Sequence, residues 1–104
     1  MILEVLYSVS GVPIRLTEER WEHLVDRHPH MSSYYEGVLE AVQEPEYILH
    51  GRGRTFFAVE TLGKRKYLYV LYKEVSRTDG FIITAYTGTR LDKSKIVWRR
   101  EDHE

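Results

Sequence analysis

Two short stretches of the chain carry groups able to move protons or hold an anion. Arg27-His28-Pro29-His30-Met31 places two imidazoles and a guanidinium at the end of one helical pattern, just ahead of the next. Phe81-Ile82-Ile83-Thr84-Ala85-Tyr86-Thr87 is a β-type run carrying three hydroxyls. Cutting RNA without a metal needs few parts. A base takes the 2′-hydroxyl proton, an acid protonates the leaving oxygen, and cations or hydrogen-bond donors stabilise the crowded phosphate. His28 suits the base or acid; Lys73, Arg27, Arg52 and Arg54 suit the phosphate; Thr84 and Tyr86 suit the donors, with Thr87 reachable from the rim. His23, His28, His30 and Asp26 supply ligand atoms, but their spacings form neither the i, i+4 His pair nor the Cys/His set of zinc sites. No metal and no cofactor is therefore expected, and His23 and His30 read as surface residues. No Ser/His/Asp order, P-loop or GxGxxG motif competes.

These groups are useful only if the elements carrying them converge. Thr17 is a good helix N-cap, and Glu18 and Glu19 favour the positive end of the helix dipole. A helix is expected over about 18–28, stopped by Pro29. At 100° per residue Trp21, Leu24 and Val25 form its apolar face, and His28, seven residues after Trp21, falls near the centre of that face. Arg20, His23 and Arg27 lie on another side, so His28 is the imidazole aimed inward. It is either a helix-end cap or core histidine donating to a carbonyl, or a general acid/base partly shielded from water. A second helix is expected from the capping box Ser33-Tyr34-Tyr35-Glu36, with Tyr35, Val38, Leu39 and Val42 at i, i+3, i+4 and i+7 and Pro45 beyond its end.

The flanks of this helical block are β in texture. Ile2 to Val9 reads as a strand, Ile14 to Leu16 continues it or pairs back, and Pro13 marks an edge element. Tyr47–His50, Thr55–Thr61, Tyr67–Lys73 and Phe81–Thr87 are separated by Gly51-Arg52-Gly53, Leu62-Gly63-Lys64 and Thr78-Asp79-Gly80. That pattern is simplest as a four-stranded antiparallel meander, with Ile96-Val97-Trp98 as a late edge strand. The fold class expected is α+β: N-terminal strands, two helices, then the meander, with both helices on one sheet face. Strict alternation puts Phe81, Ile83 and Ala85 on one face and Ile82, Thr84 and Tyr86 on the other. Tyr67, Tyr69, Leu71 and Lys73 share a face of the neighbouring strand. The eight tyrosines suit base stacking as well as sheet packing.

Bulk properties set the frame. A chain of 104 residues is one domain with room for one core. Without cysteine it has no disulfide framework or thiolate chemistry. Met1-Ile2-Leu3-Glu4 lacks the basic start of a secretory signal, and no apolar run is long enough to span a membrane, so a cytoplasmic protein with no membrane partner is expected. The net charge of −1 conceals a division. Residues 18–50 carry eight acidic side chains against Arg20 and Arg27, whereas residues 51–78 carry seven basic ones against Glu60 and Glu74. The basic half is either a phosphate-attracting surface or a set of cations guarding hairpin turns.

The Arg27–Met31 helix end, Glu44-Pro45-Glu46-Tyr47-Ile48, Tyr67–Lys73, Phe81–Thr87 and the closing Trp98 occur together and in order across residues 17–98. In this the chain resembles the small phage and prokaryotic nucleases of the barnase/EndoU/colicin/RelE-like (BECR) superfamily, of the branch marked by Arg-His-Pro-Glu. The resemblance implies a BECR-like nuclease domain over the whole chain: a metal-independent, toxin-like or phage-derived endoribonuclease. It implies RNA as partner, an antitoxin or immunity protein as a candidate second partner, and a catalytic set of His28, Lys73, Thr84 and Tyr86. His30 stands where such proteins more often carry Glu, so a carboxylate orienting the histidine is missing. The alternative is a non-catalytic RNA- or protein-binding domain of the same fold. Edge strands at both ends make a homodimer a candidate assembly.

Overall fold

The computed structural model describes residues 1–101. Its elements are β1 (Ile2–Tyr7), β2 (Pro13–Thr17), α1 (Glu18–Arg27), α2 (Tyr35–Gln43), β3 (Tyr47–His50), β4 (Thr55–Gly63), β5 (Lys66–Ser76), β6 (Asp79–Gly88) and β7 (Ile96–Arg99). The class is α+β, and the described strands form one seven-stranded, mostly antiparallel sheet in the order β1-β2-β6-β5-β4-β3-β7. The expected four-stranded meander is its centre, and the N-terminal hairpin and β7 join the same sheet at either side. Strands β3 to β6 pair successively antiparallel, β7 adds to β3, and the β1–β2 hairpin adds to β6. Pro13 does not mark an edge. It is the first residue of β2, where a missing N–H is tolerated, and β2 lies between β1 and β6.

The β2–β6 pairing is parallel and short, joining only Ile14 to Gly80 and Arg15 to Phe81. Gly80 makes that approach possible. A Cβ there would stand 2.6 Å from both the Lys73 carbonyl oxygen and Ile14 Cδ1. Arg15 secures the junction through an ion pair with Asp79 and lies over the Phe81 ring. The N-terminal hairpin is tied down at its far end too. The Ser8 hydroxyl donates to the buried Glu74 carboxylate on β5 over 2.7 Å.

Helix α1 begins as its sequence requires, with Thr17 Oγ1 accepting from the Arg20 N–H at 3.1 Å. It ends at Arg27, capped by His28, whose N–H donates to the Leu24 carbonyl. Pro29 does not then open a break. It starts a 3-10 turn, Pro29–Tyr34, in which a proline at the first position costs no hydrogen bond. That turn winds directly into α2, so the expected Ser33 cap does not form. The Ser33 hydroxyl instead donates to the His30 carbonyl, and α2 starts at Tyr35 with no side-chain cap.

Both helices cover one face of the sheet. Leu24, Met31, Val38, Ala41 and Val42 pack there on Leu68, Val70, Tyr72, Ile82 and Ala85, and Trp21 meets Tyr35 edge to face between the helices. On the opposite face Leu49, Val59 and Tyr69 form a smaller apolar cluster, flanked by Leu91 and Ile96. Strict alternation fails in β6. Leu71 pairs with Thr84 but Tyr72 pairs with Ile82, so Ile83 is the extra residue of a β-bulge. The bulge sends Ile82 and Ala85 together to the helix face, correcting the expected division. Thr84 and Tyr86 are on the open face, joined there by Phe81 rather than Ile82. None of the described helices is long and apolar enough to cross a membrane.

Gly80→Ala should force β2 away from β6 at the one place where they join. A loss of about 1–3 kcal/mol is expected from overpacking, measured by denaturant unfolding; unchanged stability would mean the junction is not tight.

Candidate active site

The parallel contact between β2 and β6 ends at Phe81, after which β2 turns into α1. The second half of β6 consequently has a strand neighbour only on its β5 side. Ten residues of α1 cover about 15 Å, close to the roughly 16 Å of strand from Phe81 to Tyr86, so the helix ends level with Tyr86. His28 arrives there with its ring centroid 6.2 Å from that of Tyr86. The 3-10 turn, closed by Met31 N–H donating to the His28 carbonyl at 2.8 Å, then folds His30 back to the same place. His30 Nε2 is 3.2 Å from Thr87 Oγ1, and the two imidazole centroids are 6.3 Å apart, nearly perpendicular.

The site is therefore two imidazoles, a phenol and a secondary hydroxyl at the edge of one strand. The sequence pattern places His30 as a separate surface residue. It is exposed, but it joins His28 rather than standing apart. A signal for this exists in the chain: proline is favoured at the first position of a helical turn, so Pro29 opens a turn as readily as it closes one.

Burial pushes the Tyr86 phenol above its ordinary value of 10.0. Its neighbour Tyr69, stacked on it at 5.4 Å, is raised by burial first and then by the Tyr86, Tyr67 and Asp92 charges. Both phenols stay protonated at neutral pH and remain hydrogen-bond donors. Tyr69 spends its hydroxyl on the Arg90 carbonyl, which holds the segment before β7 against the open face.

The other residues singled out from sequence fall at graded distances. Thr84 lies on the open face two residues along β6 from Tyr86. Lys73 pairs with Thr55 and Phe81; it is four residues along β5 from Tyr69, about 13 Å, and so stands outside the imidazole cluster. Arg27 is exposed on the last turn of α1. Arg54 donates from Nε to the Glu74 carbonyl at 2.6 Å, which gives it a structural task at the end of β5. Arg52 lies in the β3–β4 turn at the rim of a large cavity on the open face. Among the described residues no group of three or more His, Cys, Asp or Glu is placed to hold a metal ion.

Comparison with protein-family models, with curated proteins and with solved structures finds no match to this chain.

A raised phenol binds its proton more tightly in the folded than in the unfolded chain. Its contribution to stability is therefore complete below pH 10 and lost as pH climbs above it. Ultraviolet titration should show a set of phenols ionising above pH 10, with one fewer in Tyr86→Phe. A late set unchanged in that variant would mean Tyr86 is not shielded.

Proposed function

We propose that this domain is a metal-independent endoribonuclease that cleaves RNA by attack of a 2′-hydroxyl on the adjacent phosphate. The observation that supports it is the convergence of His28 and His30 on the Tyr86 and Thr87 hydroxyls. A neutral imidazole can take the 2′-hydroxyl proton while a protonated one gives a proton to the 5′ oxygen. The new bond is O2′–P, the broken one is P–O5′, and the products are a 2′,3′-cyclic phosphate and a 5′-hydroxyl. Each imidazole then carries the proton state the other began with.

His28 is the group assigned direct proton transfer, because its ring has no hydrogen-bond partner among the described residues and rests half-buried beside Tyr86. His30, steadied at Nε2 by Thr87, is its counterpart. The protonated Tyr86 phenol donates to a non-bridging phosphate oxygen, where negative charge grows as the fifth P–O bond forms. Thr84 is a second donor along the strand. Lys73, about 13 Å along β5 from Tyr69, suits a neighbouring phosphate rather than the scissile one. The same activity is what the resemblance to BECR nucleases implies, and cytoplasmic RNA is the substrate that reading entails.

Purified protein incubated with RNA in excess EDTA should cleave it. His28→Ala should lower the rate by about 10²–10⁴-fold, and Tyr86→Phe by about 10²-fold, with both variants folded. Rates should fall as salt is raised, because phosphate contacts release counterions. Intact RNA across several substrates would overturn the enzyme and leave an RNA- or protein-binding domain; cleavage abolished by EDTA would point to a metal.

A further inference from the structure

On the open sheet face, the β3–β4 turn and the start of β7 border an open cavity of about 900 Å³ that the proton-transfer site does not use. Its size lies within the range of small-molecule sites. The floor is apolar, made by Phe57 and Leu71 with Val97 at one wall, and the charged groups at its rim are Arg52 and Lys95. No carboxylate lines it. Neither cation is in an ion pair among the described residues. Lys95 lies near Asp92, but that carboxylate is already held by the Ser94 N–H at 3.1 Å and its hydroxyl at 2.6 Å. The Thr55 hydroxyl donates to the Arg52 carbonyl and the His50 ring, which also borders the cavity, packs edge to face on Phe56, so Arg52 and Lys95 are the charged donors open to a ligand.

An apolar floor bordered by two cations suits a planar aromatic group carrying an anion. The cavity is also connected to the imidazoles. Ring centroids step from His28 to Tyr86 at 6.2 Å, from Tyr86 to Tyr69 at 5.4 Å, and from Tyr69 to Phe57 at 6.1 Å. A smaller cavity of about 400 Å³ runs beside this row, and Phe57 and Lys95 line both cavities. We infer that the larger cavity is a nucleotide-binding site, with the base on Phe57 and Leu71 and the phosphate between Arg52 and Lys95. Aromatic faces accept any base, so the site selects nucleotides over other anions with little sequence preference. The nucleotide is either free or one unit of a strand that crosses β6, β5 and β4 from the imidazoles; the second source rests on the ribonuclease reading.

Binding to the full chain is measured calorimetrically with three probes: inorganic phosphate, adenosine 5′-monophosphate, and a 2′-O-methyl RNA tetranucleotide that cannot undergo 2′-hydroxyl attack. The nucleotide probes should bind more tightly than phosphate. The double variant Arg52→Ala/Lys95→Ala should lose about tenfold or more of that affinity, with a shallower salt dependence. Lys64→Ala/Arg77→Ala, the same charge change made in the β4–β5 and β5–β6 turns, should lose none. A tetranucleotide that outbinds the mononucleotide identifies a strand as the source, and equal affinity identifies a free nucleotide. Nucleotide affinity unchanged in the double variant, or no tighter than phosphate, would overturn the site even if RNA is cleaved. Binding that depends on Arg52 and Lys95 in a protein that cleaves no RNA would keep the site and discard the ribonuclease.

Discussion

The architecture turns on how β6 is shared. Along its whole length it pairs with β5, but on its other side β2 accompanies it only at Gly80 and Phe81 before leaving to become α1. A glycine is needed at that junction because two backbones and the Ile14 side chain meet where a Cβ would sit. Everything at the site follows from the departure of β2. It leaves half of β6 uncovered on one side, it starts a helix that runs alongside that half, and it delivers His28 to Tyr86. A longer parallel pairing would fill that space with backbone.

The second constraint is the bulge at Ile83. In a regular strand Ile82, Thr84 and Tyr86 share a face, and burying Ile82 beneath the helices would bury the hydroxyls with it. The extra residue reverses the alternation midway. Ile82 and Ala85 complete the helix-side core, while Thr84 and Tyr86 stay beside Leu71 and Tyr69 on the other face. One inserted residue thus lets a strand serve a core at one end and a site at the other.

Local features were readable from the chain because they rest on local physics. The Thr17 cap, the apolar face carrying His28, the tyrosine row of β5 and the successive hairpins from Tyr47 onward all come from neighbours in sequence. The parallel β2–β6 pairing, the placement of β7 beside β3 and the bulge depend on contacts between residues far apart, which no periodicity encodes. His30 fell between these cases: the proline before it signals a turn start and a helix stop equally well, and only packing against Thr87 decides. The charge division was also only half informative. Of the basic residues on the sheet, Arg15 is paired with Asp79, Arg54 bonds a backbone carbonyl, and Lys66 lies over the Tyr34 ring. Lys73, Arg52 and Lys95 are among those without an ion-pair partner among the described residues, and Lys95 lies outside the basic stretch of residues 51–78.

Paired imidazoles at the edge of β6 are proposed to drive attack by a 2′-hydroxyl. The chemistry of the cut ends tests it most directly. An RNA oligonucleotide and its copy carrying one 2′-deoxy sugar at the cleaved position are digested, and the fragments are identified by mass. The expected result is a 2′,3′-cyclic phosphate end on the RNA fragment and no cut at the deoxy position. Cleavage at the deoxy position, or fragments ending in a 3′-hydroxyl and a 5′-phosphate, would contradict it.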